Sequence, residues 1–135
     1  MLRVRVRYFA LALATIIVGL LVHTQGNALG SVSRDVLGDA LWGAMIVWLV
    51  SVAAPQARLA FRIIAAYLVC VTVEVSQLFH TPALDAVRAT FVGRLVLGSG
   101  FDPRDLAAYA LGIAVAALLE TLVFRRGTAT VAPIH

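Results

Sequence analysis

The chain has 135 residues, of which 61% are hydrophobic and only 13% are charged. This balance lies far from the usual composition of soluble domains and excludes a soluble globular protein. The net charge is +4, and the eleven basic residues are all arginines that stand singly or in pairs between long apolar runs. A nucleic-acid-binding protein concentrates its basic groups on a polar surface, so we expect membrane lipids, and no nucleic acid, as partners.

Four apolar segments are each close to the ~20 residues that a helix needs to cross about 30 Å of hydrocarbon. They cover residues 8–23, 36–54, 59–79 and 106–124. The first follows the basic start Arg3, Arg5 and Arg7, a pattern that a secretory signal peptide also shows, and we interpret it as a retained span. The segments predict an all-α membrane protein in which residues 1–126 form a single four-helix transmembrane domain and residues 127–135 form a flexible tail.

Residues 83–100, between the third and fourth spans, are too polar to cross a membrane and too apolar for a free loop. Leu84, Val87, Phe91 and Leu95 recur at helical spacing. This pattern predicts one short amphipathic helix that lies at the membrane interface or over the bundle.

The arginines are distributed unevenly between the two ends of the predicted bundle. Seven lie at the end that holds both termini and the connection between spans two and three, and four lie at the other end together with four aspartates. The positive-inside rule therefore predicts a multi-pass protein of the cytoplasmic membrane with both termini in the cytoplasm.

An even number of spans places the start of span two, the end of span three and the start of span four on the same, outer side. We expect seven polar residues to form a ligand-binding site or a polar network there. They are Asp39, Glu74, Gln77, Arg88, Arg94, Asp105 and Tyr109. Glu74 lies roughly 7 Å inside the apolar layer at 1.5 Å per residue, where an unpaired carboxylate is costly. Arg88 is its expected partner.

Three further residues are expected to have structural roles. Glu120 lies one turn before Arg125 and Arg126 and is expected to pair with them at the cytoplasmic interface. Trp48 is expected to anchor span two in the cytoplasmic interface. Small residues around Gly112 predict close packing of span four against span three.

The sequence contains no recognisable catalytic, metal or cofactor motif. The serines lack a Gly-x-Ser-x-Gly elbow, Cys70 lies alone within an apolar run, and His23 and His80 lack the spacing of a metal site. We therefore expect a protein that is not an enzyme and holds no cofactor.

Several short motifs, in a fixed order, resemble those of a known family. They are Gly38-Asp39-Ala40-Leu41-Trp42, Glu74-Val75-Ser76-Gln77-Leu78-Phe79, Arg88, Leu97-Gly98 with Phe101, and Asp105-Leu106-Ala107-Ala108-Tyr109-Ala110-Leu111-Gly112. The family comprises small bacterial inner-membrane proteins classed as a domain of unknown function, some members of which are labelled the ribosomal maturation YjgA family. The resemblance covers nearly the whole chain. It implies an integral membrane protein with an outer polar cluster and no established reaction.

More distantly, the Glu-x-x-Gln of span three, the arginine that follows and the Asp-Leu that opens the last span resemble the VanZ-like proteins linked to glycopeptide resistance. The polar core shared with them would comprise Glu74, Gln77, Arg88 and Asp105. The chain departs from those proteins where they carry an Asp-Lys pair and a His, of which only Asp39 is present, and at Tyr109, where Asn is usual.

These features favour the binding of a lipid headgroup or cell-envelope ligand, with Arg88 and Arg94 holding a phosphate while the carboxylates orient them. An accessory or structural subunit of a larger membrane complex is the first alternative. A VanZ-like glycopeptide-resistance factor is the second. An enzyme acting on a lipid or wall precursor would use Glu74 or Asp105 as a general base, but it lacks a supporting motif.

Cysteine accessibility in intact cells tests the predicted topology. Thiols introduced near Gly30 and Gly100 should react with a membrane-impermeant reagent from outside, whereas a thiol at Gln56 should not, because the arginine distribution places Gln56 in the cytoplasm. The reverse labelling pattern would show that the orientation is inverted.

Overall fold

The computed structural model describes residues 1–125, with side chains as far as residue 123, and this part of the chain is helical without strands. The helices are α1 (Leu2–Gln25), α2 (Ser31–Ala53), α3 (Leu59–Ser76), α4 (Pro82–Ala89), α5 (Phe91–Leu97) and α6 (Pro103–Arg125), and the 3-10 turn Gly26–Leu29 follows α1. Of these, α1, α2, α3 and α6 are long and apolar enough to cross a membrane. The prediction of an all-α membrane protein with four spans is confirmed. The predicted tail, residues 127–135, lies outside the described residues.

Helix α2 lies at the centre of the bundle. It packs against α1, α3 and α6, and α3 also packs against α6, whereas the backbones of α1 and α6 stay apart in the described part of the chain. Ala66 and Cys70 of α3 and Val47 of α2 are completely buried between these helices. The outward faces of the spans carry large apolar side chains, as lipid contact requires.

The closest approach in the bundle joins α2 to α6 through two glycines. A side chain at Gly112 would collide with the backbone of Ala40, and a side chain at Gly43 would collide with the backbone of Tyr109. Small residues allow transmembrane helices to pack at this short distance. The predicted close packing at Gly112 is therefore present, but the nearest neighbour of Gly112 is Ala40 of α2 rather than a residue of α3.

The segment between spans three and four forms two short helices rather than the one predicted. Thr90 adopts an extended backbone between α4 and α5. Its hydroxyl donates to the Val87 carbonyl at 2.7 Å and accepts from the Gly93 N–H at 3.0 Å. Because these side-chain bonds replace helical backbone bonds, Thr90 ends α4 and caps α5. Gly98, with φ of 68°, then ends α5 in the left-handed region that favours glycine.

Two glycine-to-alanine substitutions should differ in their effect on stability. Gly112→Ala should destabilise the protein by about 1–3 kcal/mol, because its methyl group would push α2 and α6 apart. Gly19→Ala should be neutral or stabilising by about 0.5–1 kcal/mol, because α1 has open space there and alanine favours the helix. Melting temperatures in detergent measure both effects. An unchanged melting temperature for Gly112→Ala would contradict the close contact.

Candidate functional site

Glu74 is the centre of the polar cluster at the end of the bundle where α6 begins. Its side chain is completely buried. One oxygen, Oε2, accepts hydrogen bonds from the Tyr109 hydroxyl and the Gln77 side-chain amide, each at 3.1 Å. The other, Oε1, accepts from the Asp102 backbone N–H at 2.7 Å. These three donors are neutral, and they join the end of α3 to the start of α6.

Gln77 connects Glu74 to the loop that precedes α6. Its side-chain oxygen accepts a hydrogen bond from the Gly100 N–H at 3.0 Å. Gly98 lies so close to the Gln77 amide that a side chain at this position would collide with it. The loop is therefore held against Gln77, and Glu74 lies beneath it, away from water.

Asp39 of α2 and Asp105 in the first turn of α6 face each other beside Glu74. Both side chains are half-buried, and they lie close enough to each other and to Glu74 for their charges to interact. A hydrogen bond between two carboxyl groups needs a proton on one of them. Tyr109 is also an electrostatic neighbour of both aspartates. We call Asp39, Glu74, Gln77, Asp105 and Tyr109 the carboxyl cluster.

Arg88 does not pair with Glu74, and that prediction is wrong. Arg88 Nη1 donates to the Phe79 carbonyl at 2.8 Å and Nη2 donates to the Ser76 carbonyl at 2.6 Å. Nη1 also lies 3.4 Å from Asp85 Oδ1. The last carbonyls of a helix have no partner within the helix, so the buried Arg88 side chain caps the end of α3 instead of entering the carboxyl cluster.

Arg94 is exposed on α5, and among residues 1–123 its side chain has no hydrogen-bonding or ion-pair partner. The structure therefore brings together five of the seven predicted site residues and leaves the two arginines apart. Within the same residues, no group of three or more His, Cys, Asp or Glu side chains is arranged to hold a metal ion.

A second polar cluster, which the sequence analysis did not predict, lies at the opposite end of the bundle. Arg62 Nη2 lies 2.5 Å from Glu120 Oε1, and Arg62 Nη1 donates to Glu120 Oε2 at 3.1 Å. Arg62 Nη1 also donates to Ser51 Oγ at 2.7 Å and to the Tyr8 hydroxyl at 3.1 Å. The Tyr8 hydroxyl in turn donates to Glu120 Oε1 at 2.9 Å. These four residues, one from each span, form what we call the ion-pair cluster.

The ion-pair cluster bears on two predictions. The side chains of Arg62 and Glu120 are only 6% and 9% exposed, so Glu120 is buried against Arg62, whereas the side chains of its predicted partners Arg125 and Arg126 lie outside the described residues. Trp48 is also buried, with its ring stacked on Tyr8 at a centroid distance of 6.3 Å, and is not an interfacial anchor. The sequence did contain a signal for the ion-pair cluster. Arg62 and Glu120 are single charged residues, each about one turn inside an apolar span, and both spans have that end on the same side of the bundle.

Four membrane-spanning helices, three of them packed around the central α2, with a buried polar cluster at each end, define a small polytopic α-helical membrane protein. A family model described as a protein of unknown function, DUF2809, matches residues 28–113, and the chain belongs to this family. The expected membership of a family of unknown function is thereby confirmed. The matched range includes the whole carboxyl cluster and leaves Tyr8 and Glu120 outside. No solved structure matches the chain.

Removing one member of the buried ion pair should strongly destabilise the protein. Glu120→Gln leaves the Arg62 guanidinium buried without a counter-charge, a change that costs about 3–5 kcal/mol. Asp85→Asn provides the matched control, because Asp85 is exposed and Arg88 keeps two carbonyl acceptors without it, so this change should cost about 0–1 kcal/mol. Melting in detergent compares the two variants. A Glu120→Gln protein as stable as the parent would show that the ion pair does not hold the spans together.

Proposed function

We propose that the carboxyl cluster binds the headgroup of a membrane lipid, or a cell-envelope molecule, that carries a cationic amine. The supporting observation is the charge imbalance between the two ends of the bundle. Glu120 is neutralised by Arg62. In the part of the chain that the structure describes, no arginine bonds to any carboxyl group of the carboxyl cluster.

The two aspartates are the groups that would contact the amine. Both oxygens of Glu74 already accept hydrogen bonds from neutral donors. Asp39 and Asp105 face each other and are only half-buried, and among the described residues no hydrogen bond or ion pair from another side chain to their carboxyl groups is present. One proton shared between them would satisfy the pair when no ligand is bound. An ammonium group has three N–H donors and forms charge-assisted bonds to carboxylates. It would replace the shared proton and bond to both aspartates at once.

Arg94 is the group suited to a phosphate on the same ligand. It is exposed and lies one turn before Gly98, which packs against Gln77. Its planar guanidinium matches the oxygens of a phosphate. From the sequence, two arginines are expected to hold the phosphate. Only Arg94 of those two would do so, because Arg88 donates to the carbonyls at the end of α3.

This proposal places the protein in the bacterial cytoplasmic membrane with both termini in the cytoplasm and the carboxyl cluster on the outer side. The ligand would then enter from the outer leaflet or from the cell envelope. The function requires no chemical step, and we propose a binding protein rather than an enzyme.

Native mass spectrometry of the full chain in mild detergent, titrated with phosphatidylethanolamine or phosphatidylglycerol, tests the proposal. Asp39→Asn and Asp105→Asn should each weaken phosphatidylethanolamine binding roughly tenfold, because a charge-assisted bond becomes a neutral one. Binding to the parent should strengthen as the pH rises, since the amine displaces a proton. Asp85→Asn, an exposed carboxylate outside the cluster, should bind like the parent.

Two outcomes would contradict the proposal. One is equal affinity of the parent for the two lipids. The other is a lower melting temperature of Asp39→Asn with unchanged phosphatidylethanolamine binding, which would show a packing network only. Arg88→Lys serves as a structural reference, because losing its planar fork should lower the melting temperature and leave lipid binding unchanged.

A further inference from the structure

A cavity of about 530 Å³ opens between α1 and α6 at the end of the bundle that holds the ion-pair cluster. Ala10 and Leu11 of α1 form one wall, Leu119 and Val123 of α6 form the other, and Trp48 of α2 forms the floor. The cavity exists because α1 and α6 each pack on α2 while their backbones, in the described part of the chain, stay apart. Its volume lies within the range of about 300–1,000 Å³ that is usual for ligand pockets.

Positive charge marks the rim of this cleft. Arg7 lines it and is exposed, and in the described residues its side chain has no hydrogen-bonding or ion-pair partner. Arg3 lies one turn nearer the N-terminus on the same face of α1 and is also exposed. Glu120 reaches the cleft too, but both of its oxygens are bonded to Arg62. The net charge that faces a ligand is therefore positive.

We infer that this cleft binds one acyl chain of an anionic phospholipid whose phosphate lies against Arg7. The cleft lies between two membrane-spanning helices, so lipid is the molecule that surrounds its mouth. Its walls are hydrocarbon, and arginine matches the oxygens of a phosphate. The site is independent of the function proposed for the carboxyl cluster, since it lies at the opposite end of the bundle and uses other residues.

Trp48 provides a direct reporter, because brominated acyl chains quench tryptophan fluorescence on contact. The chain has two tryptophans, so the substitution Trp42→Phe leaves Trp48 as the single tryptophan whose fluorescence is measured. This full-length protein is reconstituted into phosphatidylcholine vesicles containing increasing fractions of brominated phosphatidylglycerol or brominated phosphatidylcholine. Brominated phosphatidylglycerol should quench at about fivefold lower mole fraction, the preference expected from one arginine near an anionic lipid.

Substitutions at the cleft distinguish binding of the anionic lipid in the cleft from a general attraction of anionic lipids to the arginines at this end of the protein. Arg7→Gln should reduce the fivefold preference to about one. Arg58→Gln removes an exposed arginine at the same end, outside the cleft lining, and should retain the preference. Ala10→Phe should fill the cleft and lower the maximal quenching by both lipids. Leu13→Phe, exposed on α1 but not part of the lining, is its control.

The inference is overturned if the two brominated lipids quench equally, if Arg58→Gln lowers the preference as much as Arg7→Gln, or if Ala10→Phe leaves quenching unchanged. Circular dichroism and melting of each variant confirm that it is folded. A failure of phosphatidylethanolamine binding at the carboxyl cluster would leave this result unaffected, because the two experiments alter separate residues.

Discussion

The arrangement of the four spans depends on the buried contact between Arg62 and Glu120. A guanidinium and a carboxylate inside an apolar layer must satisfy each other, since neither has water available. Tyr8 and Ser51 complete the hydrogen bonding, so one side chain from each span takes part. Rotating or sliding any one span would leave a buried polar group without a partner. The contact therefore selects one packing of helices whose apolar faces could otherwise pack in several ways.

The opposite end of the bundle uses polar groups differently. Glu74 is buried as deeply as the ion pair but accepts hydrogen bonds from neutral groups, and Asp39 and Asp105 face each other beside it. The close approach of α2 and α6 at Gly43 and Gly112 brings these two aspartates together. In the ion-pair cluster, the charge of Glu120 is thus balanced by Arg62. The carboxyl cluster at the other end instead has an excess of carboxyl groups, which a cationic group of a ligand could balance.

The central position of α2 links both ends to the membrane-facing surface. Because the backbones of α1 and α6 both pack on α2 and stay apart from each other in the described residues, a cleft opens between them beside the ion-pair cluster. The Tyr8 hydroxyl bridges this gap to Glu120. The interaction that aligns the spans therefore also forms part of the cleft wall, and it removes the negative charge that would repel an anionic lipid.

The sequence by itself determined the four spans and the placement of Asp39, Glu74, Gln77, Asp105 and Tyr109 at one end. Apolar runs are a local property of the chain, and an even number of spans decides which ends lie together. The tertiary structure alone decided the partners. Arg88 bonds to backbone carbonyls, which no sequence pattern distinguishes from other carbonyls. Arg62 meets Glu120 because helix rotation and the central position of α2 turn these two side chains toward each other, and both depend on how whole helices pack.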